Sequence, residues 1–236
     1  MNTSMTADMG AEELQALFAE TNYRLRESRK AVLQRYGVGT EAELLTKIAL
    51  ASVAEHPAYE LYLSALILEQ TRMQIRAEML SQLTGGAQTA LPSISVHLGL
   101  KEKLNAHYKY RLLEPARMAQ DALTVSFDTG LAVEARYFSE REYSVMWTCR
   151  DRRLRIDTAP TQSDGAASPP HLHRGENTPV FFPATLPDTD CWLHLSALLN
   201  LLLQDPLLEA AETAPAAGLI AVAECALIFD PGGIPS

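Results

Sequence analysis

Apolar residues recur through the first part of the chain at intervals close to 3.6. From Glu12 onward, Leu14, Leu17, Phe18, Leu25, Val32, Leu33 and Tyr36 are separated by Arg24, Arg26, Arg29 and Lys30. That period predicts an amphipathic helix of roughly seven turns. Gly37 and Gly39 stop it, and Thr40 followed by Glu43 forms a capping box for a short helix to about Ala51. Pro57 suits a first helical position. Tyr59, Tyr62, Leu63, Leu66, Ile67, Gln70, Met73, Ala77, Leu80 and Leu83 then hold helical spacing up to Gly85 and Gly86. A helix of that extent is about 40 Å long. Two long amphipathic helices bury their stripes against each other as an antiparallel hairpin, or against a second copy of the chain. Residues 86–98 read as a loop, and Leu100 to Leu113 as a further helix closed by Pro115.

From Ala122 the period drops to about 2. Leu123, Val125 and Phe127, then Leu131, Val133, Ala135 and Tyr137, flank Asp128-Thr129-Gly130, a hairpin signal. Tyr143, Val145, Trp147 and Cys149, then Leu154 and Ile156, extend this to an antiparallel meander of about four strands, and Val180 to Phe182 reads as a last short strand. Residues 158–170 are dense in Ser, Ala, Pro and Gly and read as a mobile loop. Asp188 or Asp190 can cap a helix from Cys191 to about Gln204, whose leucines on nearly all sides mark it as buried. The expected fold class is α+β: an N-terminal antiparallel helical hairpin, then a small antiparallel sheet packed against one or two helices. The expected division is 1–10 disordered, 11–120 helical, and 121–236 α+β with an acidic C-terminal region.

At 236 residues and 47% hydrophobic, the chain can bury a core unaided. Cys149, Cys191 and Cys225 are odd in number and form no C-x-x-C pair, so no disulfide framework or zinc ribbon is encoded, and no cofactor and no metal are expected. The first 20 residues lack the basic and apolar segments of a signal peptide, and the apolar run Trp192 to Leu203 is too short to span a membrane. A cytoplasmic protein without membrane contact is the expectation. The net charge of −9 is uneven, since no Lys or Arg follows Arg174. That argues against a uniformly basic nucleic-acid binder but leaves Arg150, Arg152, Arg153 and Arg155 as a local cluster able to meet phosphate.

The glycine-rich nucleotide motifs, the G-x-S-x-G elbow and H-E-x-x-H are all missing from the sequence. In a strand, His171 and His173 point to one face, as two imidazoles must to share a metal or to work as an acid-base pair. A metal centre needs a third ligand, and spacing alone does not choose among Asp157, Asp128 and Glu134. The plain alternative is a pair of surface histidines beside a Pro-rich loop. Arg155 and Asp157 likewise share a strand face, where they clamp an anion or form a cross-strand ion pair. Tyr143 and Trp147 share a face too, as base-stacking aromatics or as core.

In order, Asp128-x-Gly130, Tyr143-x-x-x-Trp147, Arg155-x-Asp157-x-Ala159-Pro160, a variable loop and Pro170-His171-Leu172-His173 resemble the TumE-like family of bacterial toxin-antitoxin toxins, over about Leu123 to Leu208. The resemblance implies a compact α+β unit that inhibits growth through RNA, with Arg155, Asp157, His171 and His173 in the functional surface. It implies one histidine as base on a 2′-hydroxyl, the other as acid on the leaving oxygen, and Arg155 against the phosphorane charge. Tyr143, Trp147 and Arg153 are the candidate substrate contacts. The helical hairpin would then dimerise the protein or neutralise the toxin-like unit. The competing expectation is a non-catalytic interaction or scaffold protein whose working surface is the hairpin, with a protein partner in place of RNA.

Overall fold

The computed structural model describes residues 10–84, 96–160, 169–175, 180–181 and 190–209. It is an α+β fold. Helices α1 (Ala11–Arg35), α2 (Glu41–Ala49) and α3 (Glu55–Thr84) come first, then α4 (Val96–His107), strands β1 (Arg117–Met118), β2 (Leu123–Ser126), β3 (Ala132–Tyr137), β4 (Tyr143–Cys149), β5 (Arg152–Asp157), β6 (His171–Arg174) and β7 (Val180–Phe181), and helix α5 (Cys191–Gln204). The seven strands form one antiparallel sheet in chain order.

Local chemistry explains the boundaries. Gly37, at φ +62°, turns the chain out of α1 where a side chain would be strained. Thr40 accepts the Glu43 amide at 3.3 Å while the Glu43 carboxylate accepts the Gly39 amide at 2.9 Å, closing the start of α2. Asp190 caps α5 by accepting the amides of Trp192 and Leu193 at 2.7 and 2.9 Å. Gly130, at φ +81°, turns β2 into β3. Helices α1 and α3 pair as the hairpin, and Arg29 ties them together, gripping Glu41 of α2 at 2.6 and 2.8 Å and lying 3.6 Å from Glu69 of α3. Leu33, Leu44, Ile48, Tyr59, Tyr62 and Leu63 fill the space between.

The two faces of the sheet are chemically different because its strands alternate. One face carries Val125, Val133, Val145, Trp147, Ile156 and Leu172, and packs with Leu100 and Leu104 of α4 and with Leu195, Leu199 and Leu202 of α5. The other carries Arg136, Arg155, Asp157 and the two histidines of β6, and α3 lies across it. Tyr59 of α3 meets Thr158 at 2.9 Å, Tyr62 donates to Glu142 at 2.9 Å, and Ser64 donates to Asp121 at 2.5 Å.

Several expectations are corrected. The sheet has seven strands: the four-strand meander and the last short strand at Val180 are present as expected, and β1 and β6 add to them, β1 at one edge and β6 between β5 and β7. Helix α4 runs from Val96 to His107 instead of Leu100 to Leu113, since His97, Leu100 and Leu104 form its buried face. Its packing makes α4 part of the sheet's core, and β1 joins the sheet as well. Regular helical geometry in α3 begins only beyond His56 and Pro57, whose backbone is non-helical. Thr158 and Ala159, read as part of a mobile loop, are buried. Residues 161–168, the N-terminal nine and the acidic stretch from residue 210 lie outside the described residues. Among the described residues, no helix is long and apolar enough to cross a membrane.

Candidate functional site

Strands β5 and β6 pair antiparallel with Arg155 opposite His173 and Asp157 opposite His171. Directly opposed residues share a face, so register alone gathers four polar side chains on the side away from the apolar core. Helix α3 closes over them. Its N-terminal end brings Glu55, ahead of the non-helical His56 and Pro57, and Glu60 beyond them, and the six groups form one buried ionic cluster.

Arg155, with a side chain only 8% exposed, holds it together. Its Nη2 donates to Glu55 Oε1 at 2.5 Å, its Nη1 lies 3.1 Å from Glu60 Oε1, and its Nε meets Asp157 Oδ2. Asp157, fully buried, accepts the Ala159 amide on Oδ1 at 3.0 Å. His171 Nε2 is 3.2 Å from Asp157 Oδ1 and 3.8 Å from Glu55 Oε2. His173 Nε2 is 3.0 Å from Glu55 Oε1 and 3.5 Å from Asp157 Oδ2. The two rings stand 4.7 Å apart. His56 Nδ1 meets Glu60 from outside at 2.9 Å.

Three carboxylates surround one guanidinium, so the environment favours positive charge on the imidazoles. Burial pulls His173 downward, but the Asp157 and Glu55 carboxylates outweigh it and raise its pKa to about 9. His171 moves in the same direction: burial lowers it, and Glu55, Asp157 and the Pro169 carbonyl raise it further. Burial likewise works against ionised Glu55, yet contacts with both histidines and the charge of Arg155 hold its carboxyl well below the ordinary range.

Arg155, Asp157, His171 and His173 therefore converge. The three candidate substrate contacts do not join them. Tyr143 and Trp147 are 2% and 1% exposed on the opposite, apolar face, and Trp147 donates its indole N–H to the Pro206 carbonyl at 2.8 Å. Same-face alternation was read correctly, but the face is core and offers no stacking surface. Arg153 shares the polar face but is exposed, its Nε 2.7 Å from Met146 Sδ. With Arg152 and Arg174 it lines a neighbouring cavity of about 420 Å³ at the end of β5 and β6.

Sequence reasoning missed Glu55 and Glu60. Glu55 looked like an ordinary acid in a first helical turn, favourable to the helix dipole. Glu60 left a faint signal, being a charged residue beside Tyr59 on the buried side of a helix, with Ser64 one turn on.

Comparison with known proteins adds one match. Residues 5–88 match the model of the Uncharacterized protein MJ0235 family. That stretch takes in α1, α2 and α3, and so includes Glu55 and Glu60 but none of the four strand residues. No curated protein and no solved structure matches the chain.

Proposed function

We propose that the cluster is the active site of an RNA-cleaving, toxin-like enzyme, as the resemblance of residues 123–208 implies. The observation that carries this reading is the convergence of Arg155, His171 and His173 on two carboxylates, buried Asp157 and the more exposed Glu55. Three cationic or hydrogen-bonding groups aimed at one oxyanion are what a phosphodiester requires. Glu55, 26% exposed, is the least buried of the four residues that meet here, and its carboxylate lies where a substrate phosphate would take its place. The three arginines Arg152, Arg153 and Arg174 at the end of β5 and β6 add positive charge that would attract the phosphates of a strand.

In the cleavage step one neutral imidazole takes the 2′-hydroxyl proton as the 2′-oxygen bonds to phosphorus. The bond from phosphorus to the 5′-oxygen breaks, and the other imidazole, protonated, gives its proton to that oxygen. The products are a 2′,3′-cyclic phosphate and a free 5′-hydroxyl. Arg155 balances charge on the phosphoryl oxygens, and Asp157 orients Arg155 and His171.

The purified full chain incubated with labelled single-stranded RNA is expected to yield fragments ending in 2′,3′-cyclic phosphate. His171→Ala and His173→Ala should each lower the rate about 100-fold or more, the usual span of general acid-base catalysis. Intact RNA with the parent protein, or cleavage indifferent to both substitutions, overturns the proposal.

A second reading concerns the hairpin. Leu17 and Tyr23 of α1 and Met73 and Leu80 of α3 are exposed large apolar residues, which favours a second copy of the chain as partner. Sedimentation equilibrium at micromolar concentration is expected to show a dimer, and a strict monomer removes this reading.

A further inference from the structure

Glu55, Asp157, His171 and His173 each offer one ligand atom within 4.8 Å of all the others. Among the described residues this is the one grouping of histidines, cysteines and carboxylates so disposed. An ion bonded at 2.0–2.2 Å in a tetrahedron needs ligand atoms about 3.4 Å apart, so a longest edge of 4.8 Å must contract by about 1.4 Å.

The hydrogen bonding of His171 points independently to an electrophile at the centre. Its Nδ1 lies 3.1 Å from the Pro169 carbonyl oxygen, which can only accept, so Nδ1 carries the hydrogen. In the neutral ring Nε2 is then a lone pair, facing an oxygen lone pair of Asp157 at 3.2 Å in a place closed to water. Nε2 of His171, Nε2 of His173 and Oδ2 of Asp157 are buried without an aligned hydrogen-bond partner, although ionic neighbours lie close. His171, with its side chain 7% exposed, thus aims Nε2 inward at a carboxylate that a proton or a metal ion on that nitrogen must bridge. Fixing one ring nitrogen on a backbone carbonyl while the other faces carboxylates is also how metal-bound imidazoles are oriented. The Ala159 amide and Arg155 hold the Asp157 carboxylate in the same outer role.

We propose that Glu55, Asp157, His171 and His173 bind one divalent transition-metal ion of the zinc type. Two imidazoles with two carboxylates suit Zn²⁺ or Co²⁺ and fall short of the all-oxygen shell that Mg²⁺ and Ca²⁺ prefer. The ion joins the helical stretch, through Glu55, to the sheet, through the other three. It uses the Nε2 lone pairs that proton transfer needs, so the loaded form does not cleave RNA by the histidine pair. Only this last consequence rests on the proposed function; the binding itself does not.

The test begins with the full chain stripped by chelator. Titration with Co²⁺ is expected to saturate at one equivalent with the visible absorption of a four-coordinate site, and Zn²⁺ is expected to displace the Co²⁺ and raise the thermal midpoint. His173→Gln should weaken Co²⁺ binding at least 100-fold. Glu55→Gln, at the most exposed ligand, should weaken it about tenfold while the circular dichroism spectrum stays that of the parent. His107→Gln, on the exposed side of α4, should leave it unchanged. Absence of stoichiometric Co²⁺ binding, or binding that survives both ligand substitutions, overturns the metal site. If the stripped protein leaves RNA intact yet binds Co²⁺ as described, the cleavage proposal falls and the metal site stands. Cleavage that continues undiminished in the Zn²⁺-loaded form overturns the exclusion of one state by the other.

Discussion

Arg155 shows how much depends on one side chain. Its guanidinium neutralises part of the charge of Glu55, Glu60 and Asp157 in a place nearly closed to solvent. Arg155→Met keeps much of the packing volume but leaves three buried acids facing one another, which costs about 3–5 kcal/mol when a buried ion pair loses one member. Urea denaturation should show a loss of that size. Adding Glu60→Gln should recover part of it, and Arg153→Met, at an exposed position, should change stability by no more than about 0.5 kcal/mol. An unchanged urea midpoint for Arg155→Met would sink the view that Arg155 holds the cluster together. Four of the six clustered groups were legible in the sequence, because alternation along a strand fixes which residues share a face. Tyr143 and Trp147 show the limit of that logic. Alternation says that two side chains are neighbours, but not whether their face meets solvent or core; here the intervening Val145 and the facing Val133 and Ile156 made it core.

At the level of elements, legibility followed the strength of local signals. Helices α1, α2 and α5 were readable because Gly37, the Thr40 and Glu43 pair, and Asp190 are stop and start signals acting within a few residues. Helix α4 was displaced because residues 86–98 read as a loop, while His97, Leu100 and Leu104, which decide the matter, are a buried stripe only once the sheet is beneath them. Strand β1 has two exposed residues and no alternation to read; pairing of Arg117 with Thr124 and Met118 with Leu123 makes it a strand. Glu55 was out of reach for the same reason, and Glu60 showed only as a charge on a buried helix side, since their meeting with Arg155 is a fact of how α3 crosses the sheet.

On the scale of the whole molecule, two buried histidines outside the site set how the fold responds to acid. His97 Nε2 accepts the Tyr137 amide at 3.1 Å, and His194 Nδ1 lies 2.6 Å from the Tyr137 hydroxyl, so both ends of one core tyrosine lean on imidazoles. Burial lowers His194 to about 4, and burial, opposed by Asp121 and assisted by Arg136, lowers His97 to about 4. Between pH 6.5 and 4 the unfolded chain takes up a proton at each and the folded chain does not, so stability falls as pH falls through that window. The loss approaches roughly 3 kcal/mol for each histidine at its lower end. His171 and His173, held above 6.5, are largely charged in both states across most of the window and add little slope. Urea midpoints measured from pH 6.5 down to 4.5 should therefore decline, and less steeply in His194→Gln than in the parent. A midpoint constant over that range would contradict the neutral, buried state of these rings.

The sheet runs β1 to β7 in chain order, so each strand pairs with the next one along the chain, whereas Glu55 and Arg155 are separated by 100 positions. Short loops close early and long ones late. During synthesis the carboxylates of α3 leave the ribosome well before the strand that neutralises them, and the imidazoles of β6 follow later still. The hairpin and the sheet can each take shape before the cluster exists, and the cluster is completed by their docking. Whatever this centre does, it begins only once the chain through β6 has been made and folded.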